Sequence, residues 1–283
     1  MKAESRQIRV GLVATAPQTA AEWGELGRRA EAEGFAVVLA PDRLRLSSPF
    51  PGLAAAAAAT RSIHVGTFVL VAAWRPAPLI TRDAATMHRL TDGRFELGLG
   101  AGVDAADFET LAVPFRGRVA ALEAAIAALP SARPQLLIGG SGDRVMALAA
   151  RHADSISIGT GRDLSEAAVA ERVAYIRKEA GERFGRLELS LNLVAAIGPG
   201  PVPSAVADRA RRFFGVELDD LVRTDSPYVL AGGPEEMAAQ LRDRQERLGI
   251  SYLTSAEELR PVLTLVIERI GAMPVGPSAV DRR

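Results

Sequence analysis

The sequence predicts a (β/α)8 barrel. β-rich apolar runs alternate with helical spacing from end to end, and eight such runs, each followed by helix, can be counted in 283 residues. Eight βα units closed into a barrel typically occupy about 250 residues. Two of the runs end in glycine clusters, at 94–102 (RFELGLGAG) and 135–143 (QLLIGGSGD). Each reads as a buried parallel strand opening into a loop whose backbone approaches something closely. The competing doubly wound sheet carries its glycine fingerprint after the first strand. Here the first strand ends in Ala14, Thr15, Ala16 and Pro17, with no such fingerprint. One domain over residues 1–283 is expected.

Each element has its own signal. Residues 8–15 form a β-rich run. Helical spacing over 19–34 puts Trp23, Leu26 and Ala30 on one face and Gly34 at the stop. The apolar strand 36–40 ends at Pro41 and Asp42. Residues 53–60 are an Ala-rich helix whose small side chains permit close packing. Strand 63–73 leads to helix 79–90, stopped near Asp92 and Gly93, and then to strand 95–100. Helix 118–129 ends at Pro130. Strand 136–138, helix 143–152, strand 155–159 and a long charged helix over 164–184 follow. Strand 187–197 precedes helical stretches at 203–214 and 234–248. A short strand at 251–254 and a helix at 256–270 close the series. The Pro/Gly-rich tail after Gly271 is expected to fray.

Composition narrows the function. The 34 basic and 34 acidic residues cancel, which argues against nucleic acid or a membrane surface as the main partner. Without cysteine there are no disulfides, thiol nucleophiles or thiolate metal sites. Three histidines, His64, His88 and His152, are too few for a multi-histidine metal site, and no metal is expected. The polar N-terminus predicts no secretory signal, and no apolar stretch is a membrane span. A cytoplasmic protein acting on a small molecule is the expectation.

In a barrel, working side chains stand at the C-terminal ends of the strands. Asp42 ends the second strand there and is either a working acid or a solvated loop acid. Asp104 follows the fourth strand and could serve as an acid, since a carboxylate beside an apolar ring has a raised pKa. Asp107 reads as a helix cap. Arg43 and Arg45 either bind an anion or are solvated. Arg75, beside Trp74, either stacks on a ring system or bridges the surface. Gly139, Gly140, Ser141 and Gly142 exceed what a plain turn requires, and they place free N–H groups at a helix start, suited to a phosphate. Asp143 reads as the N-cap. Gly98, Gly100 and Gly102 serve either packing or approach to a ligand. His64 opens its strand at the opposite end of the barrel and reads as structural.

Three stretches carry a resemblance: 81–102 (TRDAATMHRLTDGRFELGLGAG), 134–154 (PQLLIGGSGDRVMALAARHAD) and 226–241 (SPYVLAGGPEEMAAQL), with looser agreement at 34–42 and 63–70. In these the chain resembles the luciferase-like monooxygenases, and within them the F420-dependent oxidoreductases of actinobacteria. The resemblance implies a luciferase-like (β/α)8 barrel with coenzyme F420 or FMN at its C-terminal mouth. It implies a ring over the end of the third strand, at Val71, Ala72, Ala73 and Trp74, often at a non-proline cis peptide. It places the cofactor phosphate on Gly139, Gly140, Ser141 and Gly142, near Gly159, Thr160 and Gly161. Asp42 would reach the deazaflavin or the substrate.

The resemblance implies hydride transfer between F420 and a small organic substrate, and the strand-end positions make Asp42 and Asp104 the expected catalytic acids, with Arg43 and Trp74 holding substrate. The alternatives are an FMN-dependent luciferase-like monooxygenase and a degenerate flavin-binding member without catalysis. The chain departs from common relatives at three places. Arg43 stands where a histidine is usual. Ala72 and Ala73 replace polar residues. The segment 118–134 is too short for the usual insertion. A homodimer is also expected, because Ala54 to Ala59 offer a flat surface with little side-chain entropy to lose, and the resemblance implies the same.

Overall fold

Eight parallel staves close into a barrel in a computed structural model that describes residues 6–200, 202 and 204–271. The tail expected to fray lies outside the described residues. In chain order the strands are β1 (Arg9–Val13), β2 (Val37–Ala40), β3 (His64–Thr67), β4 (Leu70–Val71), β5 (Phe95–Gly100), β6 (Gln135–Gly140), β7 (Ser155–Ile158), β8 (Glu188–Asn192), β9 (Ala195–Ile197), β10 (Val229–Ala231) and β11 (Ile250–Ala256). The sheet order is β3-β2-β1-β11-β8-β7-β6-β5-β4, and pairing of β3 with β5 closes it. β3 and β4 together make one stave. The predicted fold class is therefore the observed one.

The helices are α1 (Ala20–Ala32), α2 (Pro49–Ala58), α3 (Ala77–Leu90), α4 (Ala105–Thr110), α5 (Arg118–Ala127), α6 (Asp143–His152), α7 (Glu166–Ala180), α8 (Ser204–Arg209), α9 (Leu218–Arg223), α10 (Pro234–Leu248) and α11 (Arg260–Ile270). Outward strand residues such as Leu12, Val38, Leu97, Ile138 and Leu191 are fully buried beneath the helices. Strands covered on both faces read as nearly continuous apolar runs, and for that reason the sequence announced them so clearly. No described helix is long and apolar enough to cross a membrane.

The Ala-rich α2 packs on α1. A Cβ on Gly24 would stand 3.2 Å from the Ala59 methyl, and one on Gly27 would stand 3.1 Å from the Ala56 carbonyl. Part of the flat surface expected to face a second copy is thus used within the chain. Ala54 and Ala55 are partly exposed and Ala58 is exposed.

A charged plug closes the lower, N-terminal end of the barrel. Arg9 donates to Glu96 at 2.6 Å and to Glu188 at 2.8 and 2.7 Å. His64 Nδ1 lies 3.1 Å from Glu96, and the Ser155 hydroxyl donates to Glu188 at 2.7 Å. The Arg9 guanidinium covers the Tyr252 ring at 3.7 Å. Burial opposes the charge on Glu96, but Arg9 and then His64 outweigh it and hold the carboxyl at about 2. Burial likewise opposes the charge on Arg9, and Glu188 and Glu96 raise it well above its ordinary value. His64 is structural, as its position on the strand indicated.

Four local readings are corrected. The predicted strand 63–73 is broken by a cis peptide between Phe68 and Val69, and Ala72–Trp74 is a 3-10 turn. The predicted strand 187–197 is two strands, because β9 leaves the barrel to pair with β10 in a separate parallel ribbon. α4 was unforeseen, and Asp104 rather than Asp107 is its N-cap, accepting from the Ala106 N–H at 3.2 Å. Gly142, not Asp143, is the N-cap of α6.

Candidate active site at the barrel mouth

Side chains alternate along a strand, so the plug fixes which residues face the mouth. Two and four residues above Glu188 stand Ser190 and Asn192. Two above Ser155 stands Ser157, and two above Tyr252 stands Thr254. On β5 and β6 the inward positions above Glu96 and Gln135 include Gly98, Gly100 and Gly139.

Those glycines admit the break in the third stave. A Cβ on Gly98 would strike the Thr67 carbonyl, and one on Gly100 would lie 2.6 Å from a Val69 methyl. Gly139 faces Val69 and Ser157 at 3.4 and 3.5 Å. The first glycine cluster is therefore explained by packing, and it lets Phe68 and Val69 bend over the barrel centre. Both are partly exposed, whereas Val71 and Ala72, predicted under the ring, are buried. The floor of the mouth is Phe68 and Val69, three residues before the predicted place. Their position inside an unbroken apolar run gave no signal of it.

The two predicted acids are both engaged with arginine. Asp42 is 7 % exposed. It accepts from Arg75 at 2.6 and 3.2 Å and from the Val71 N–H at 3.1 Å. Arg75 is thus tied to Asp42 across the mouth. Asp104 accepts from Arg43 at 3.3 Å while capping α4. Trp74 packs edge-on against Phe108 at 5.7 Å, Phe108 against Phe115 at 5.1 Å, and Arg118 lies over Phe115 at 3.9 Å. This column fixes α4 against the turn after β4. Ala73 lies partly exposed in that turn.

Across the mouth, the loop after β6 opens onto the start of α6. The helix's own bonding begins with the Met146 N–H on the Gly142 carbonyl at 3.0 Å, so the N–H groups before it have no partner within the helix. Ser141 and Gly142 are exposed. Gly140 points away, toward α6, where a Cβ would lie 2.6 Å from Val145. Asp143, in the first turn, is paired with Arg172. Gly159 crosses closely under this loop, its N–H donating to the Gly140 carbonyl at 2.8 Å. The Thr160 hydroxyl is taken up by Tyr228 at 3.0 Å, and burial pushes the Tyr228 phenol up to about 12. Arg162 is exposed just beyond.

The rim is tied together elsewhere as well. Glu257 after β11 accepts the Thr15 and Ala16 N–H groups at 2.6 and 3.1 Å. The Thr254 hydroxyl donates to Asn192 Oδ1 at 3.2 Å. Ser157 and Asn192 were missed as mouth residues. A single polar residue closing an apolar strand, such as Asn192, was the available signal.

Residues 7–129 match the luciferase-like monooxygenase family. No curated protein matches the chain. Among solved structures, the coenzyme F420-dependent tetrahydromethanopterin reductase from Methanopyrus kandleri is 14% identical, with 92% of this chain and 97% of that one covered and a TM-score of 0.70. The monooxygenase RslO1 from Streptomyces bottropensis is 18% identical over 93% of this chain and 98% of that one, at 0.68. DmoA from Hyphomicrobium sulfonivorans is 12% identical over 98% and 92%, at 0.74. Over that matched stretch the resemblance to the luciferase-like monooxygenases is borne out, and the chain shares the fold of these solved structures.

Proposed function

We propose that the chain is an oxidoreductase that moves a hydride between coenzyme F420 and a small organic substrate at the barrel mouth. The observation that carries this is the pairing of an apolar floor, Phe68 and Val69, with an open helix N-terminus at Ser141 and Gly142. A planar ring needs the first, and a phosphate-linked tail needs the second. The residues fit such a group. Gly142 and Gly161 have open space where a Cβ would stand, and Arg172 already neutralises Asp143, the acid nearest the anion. The exposed Arg162 suits the further negative charges of the F420 tail.

When bound, the deazaflavin supplies the hydride-carrying carbon, and the protein's task is orientation and exclusion of water. Val69, with Phe68, supports one face of the ring. The N–H groups of Gly142 and Asp143 and the Ser141 hydroxyl hold the phosphate. Asp42 is shielded behind Arg75 and positions the turn at Val71. Asp104, with a side chain 36% exposed, is the carboxylate a substrate can reach, and in this reading it exchanges the accompanying proton while Arg43 and Trp74 border the substrate. Two copies associating through the exposed side of α2 complete the proposed assembly.

FMN is the second reading, favoured by the riboflavin lyase with modified FMN among the structures that share the fold. Titration of the purified chain with F420 and with FMN, followed by fluorescence, tests the choice. Saturable binding of F420 and weaker binding of FMN is expected. The reverse order establishes the second reading, and binding of neither removes both.

A further inference from the structure

One wall of the mouth offers hydrogen bonds that no protein group among the described residues uses. Asp42 and Asp104 are paired with arginines and the Thr160 hydroxyl with Tyr228. On the β7–β8 wall the situation is different. Ser157 and Asn192 are both partly exposed and face inward by strand alternation. The Asn192 carbonyl oxygen accepts from Thr254, and its amide N–H2 has no hydrogen bond among the described residues. Ser190 lies in register with Ser157, two residues below Asn192. Its hydroxyl is fully buried and has no hydrogen-bond partner among the described residues. A buried polar group without a partner costs about 1–3 kcal/mol, and one beside a site calls for an explanation, which a polar ligand or an ordered water would supply.

We propose that Asn192 and Ser157 form a donor strip that receives the acceptor edge of the bound heterocycle, with Ser190 extending the strip inward. The strip runs beside the phosphate loop, because Ser157 lies against Gly139. A ligand anchored at Gly142 and lying on Val69 brings its edge to this wall. The ligand class selected is a planar ring carrying carbonyl or imine acceptors, such as a flavin or deazaflavin pyrimidine edge. A ring lacking acceptors is disfavoured, since its binding would leave the Asn192 amide unsatisfied. This inference rests on the proposed cofactor site.

The test separates ring from phosphate. Dissociation constants for F420, FMN and riboflavin, and the position of the visible band of each bound ring, are measured for the parent, Asn192→Asp, Ser157→Ala and Gly142→Asp. Asn192→Asp keeps the acceptor for Thr254 and removes the donor. Circular dichroism and melting establish that each variant is folded. About tenfold weaker binding of FMN and riboflavin alike is expected for Asn192→Asp, with a displaced band, and a smaller loss for Ser157→Ala. Gly142→Asp is expected to weaken FMN but not riboflavin. If the parent binds a cofactor and both wall variants keep its affinity and band, the donor strip is overturned while the cofactor site stands. If the parent binds none of the three, the site and the strip fall together.

Discussion

Arg75 clasps Asp42 through two parallel hydrogen bonds, 2.6 and 3.2 Å long, at the end of the second stave. The Val71 N–H completes the arrangement at 3.1 Å. A paired guanidinium and carboxylate of this kind fixes geometry as well as charge. It ties the loop after β2 to the turn after β4, on which Trp74 sits. Asp42 therefore holds the mouth's shape. Asp42→Asn removes the charge from the clasp and leaves Arg75 without its partner. A loss of about 1–3 kcal/mol is expected, read as a lower urea midpoint, and Arg75→Ala should lose a similar amount. The double variant should lose much less than the sum, because both changes remove one interaction. Strict additivity would show that the pair contributes nothing.

Gly142 is the place to probe the anion site. A Cβ there meets nothing within 4 Å, so Gly142→Asp adds a negative charge at the helix start without disturbing packing. A loss of about 2 kcal/mol in binding a phosphate-bearing cofactor is expected, from repulsion and lost amide contacts. Melting temperature should be unchanged. Gly140 cannot serve the same purpose, since Val145 occupies the space its side chain would need.

Gly98 separates packing from ligand approach. Gly98→Ala drives a methyl into the Thr67 carbonyl and against Val69. Overpacking a tight core typically costs about 1–3 kcal/mol. The variant is expected to melt earlier even without any cofactor present. An unchanged melt would return the first glycine cluster to a ligand role.

The plug sets an acid limit. The Glu96 carboxyl is held at about 2 inside the barrel, and Glu31, despite some burial, is held at about 2 by the N–H groups of Ser62, Ile63 and Arg61. Their folded values lie below the ordinary one, so the unfolded chain takes up protons first as pH falls. The stability they contribute is complete above about pH 5 and declines from there toward pH 2. Urea unfolding at steps across this window should show that decline. Glu96→Gln should flatten part of it while lowering stability at pH 7 by about 3 kcal/mol, because Arg9 loses a buried partner. A slope equal to the parent's would show that Glu96 is not protonated in this window.

The barrel was legible because its strands are apolar on the helix-facing side and end in glycine or acid at the same end. The N-terminus of α6 was legible from Gly139 to Gly142 for the same reason. Three features were not. The break at Phe68 and Val69 is made possible by Gly98, Gly100 and Gly139 on neighbouring staves, a relation between strands that sequence spacing does not display. The partners of Asp42 and Asp104 come from other loops, so their pairing depends on closure of the barrel. The departure of β9 from the barrel hides inside a stretch that is apolar without a break from Leu193 to Ile197. In each case local pattern gave the element and tertiary contact decided its use.

In the proposed complex a ring cofactor lies on Val69 with its phosphate at the start of α6. A crystal structure of the chain soaked with F420 should show the deazaflavin ring against Phe68 and Val69 and the phosphate within hydrogen-bond distance of the Gly142 and Asp143 N–H groups. A ring bound elsewhere, or a phosphate held away from this helix in a fully occupied complex, would contradict it.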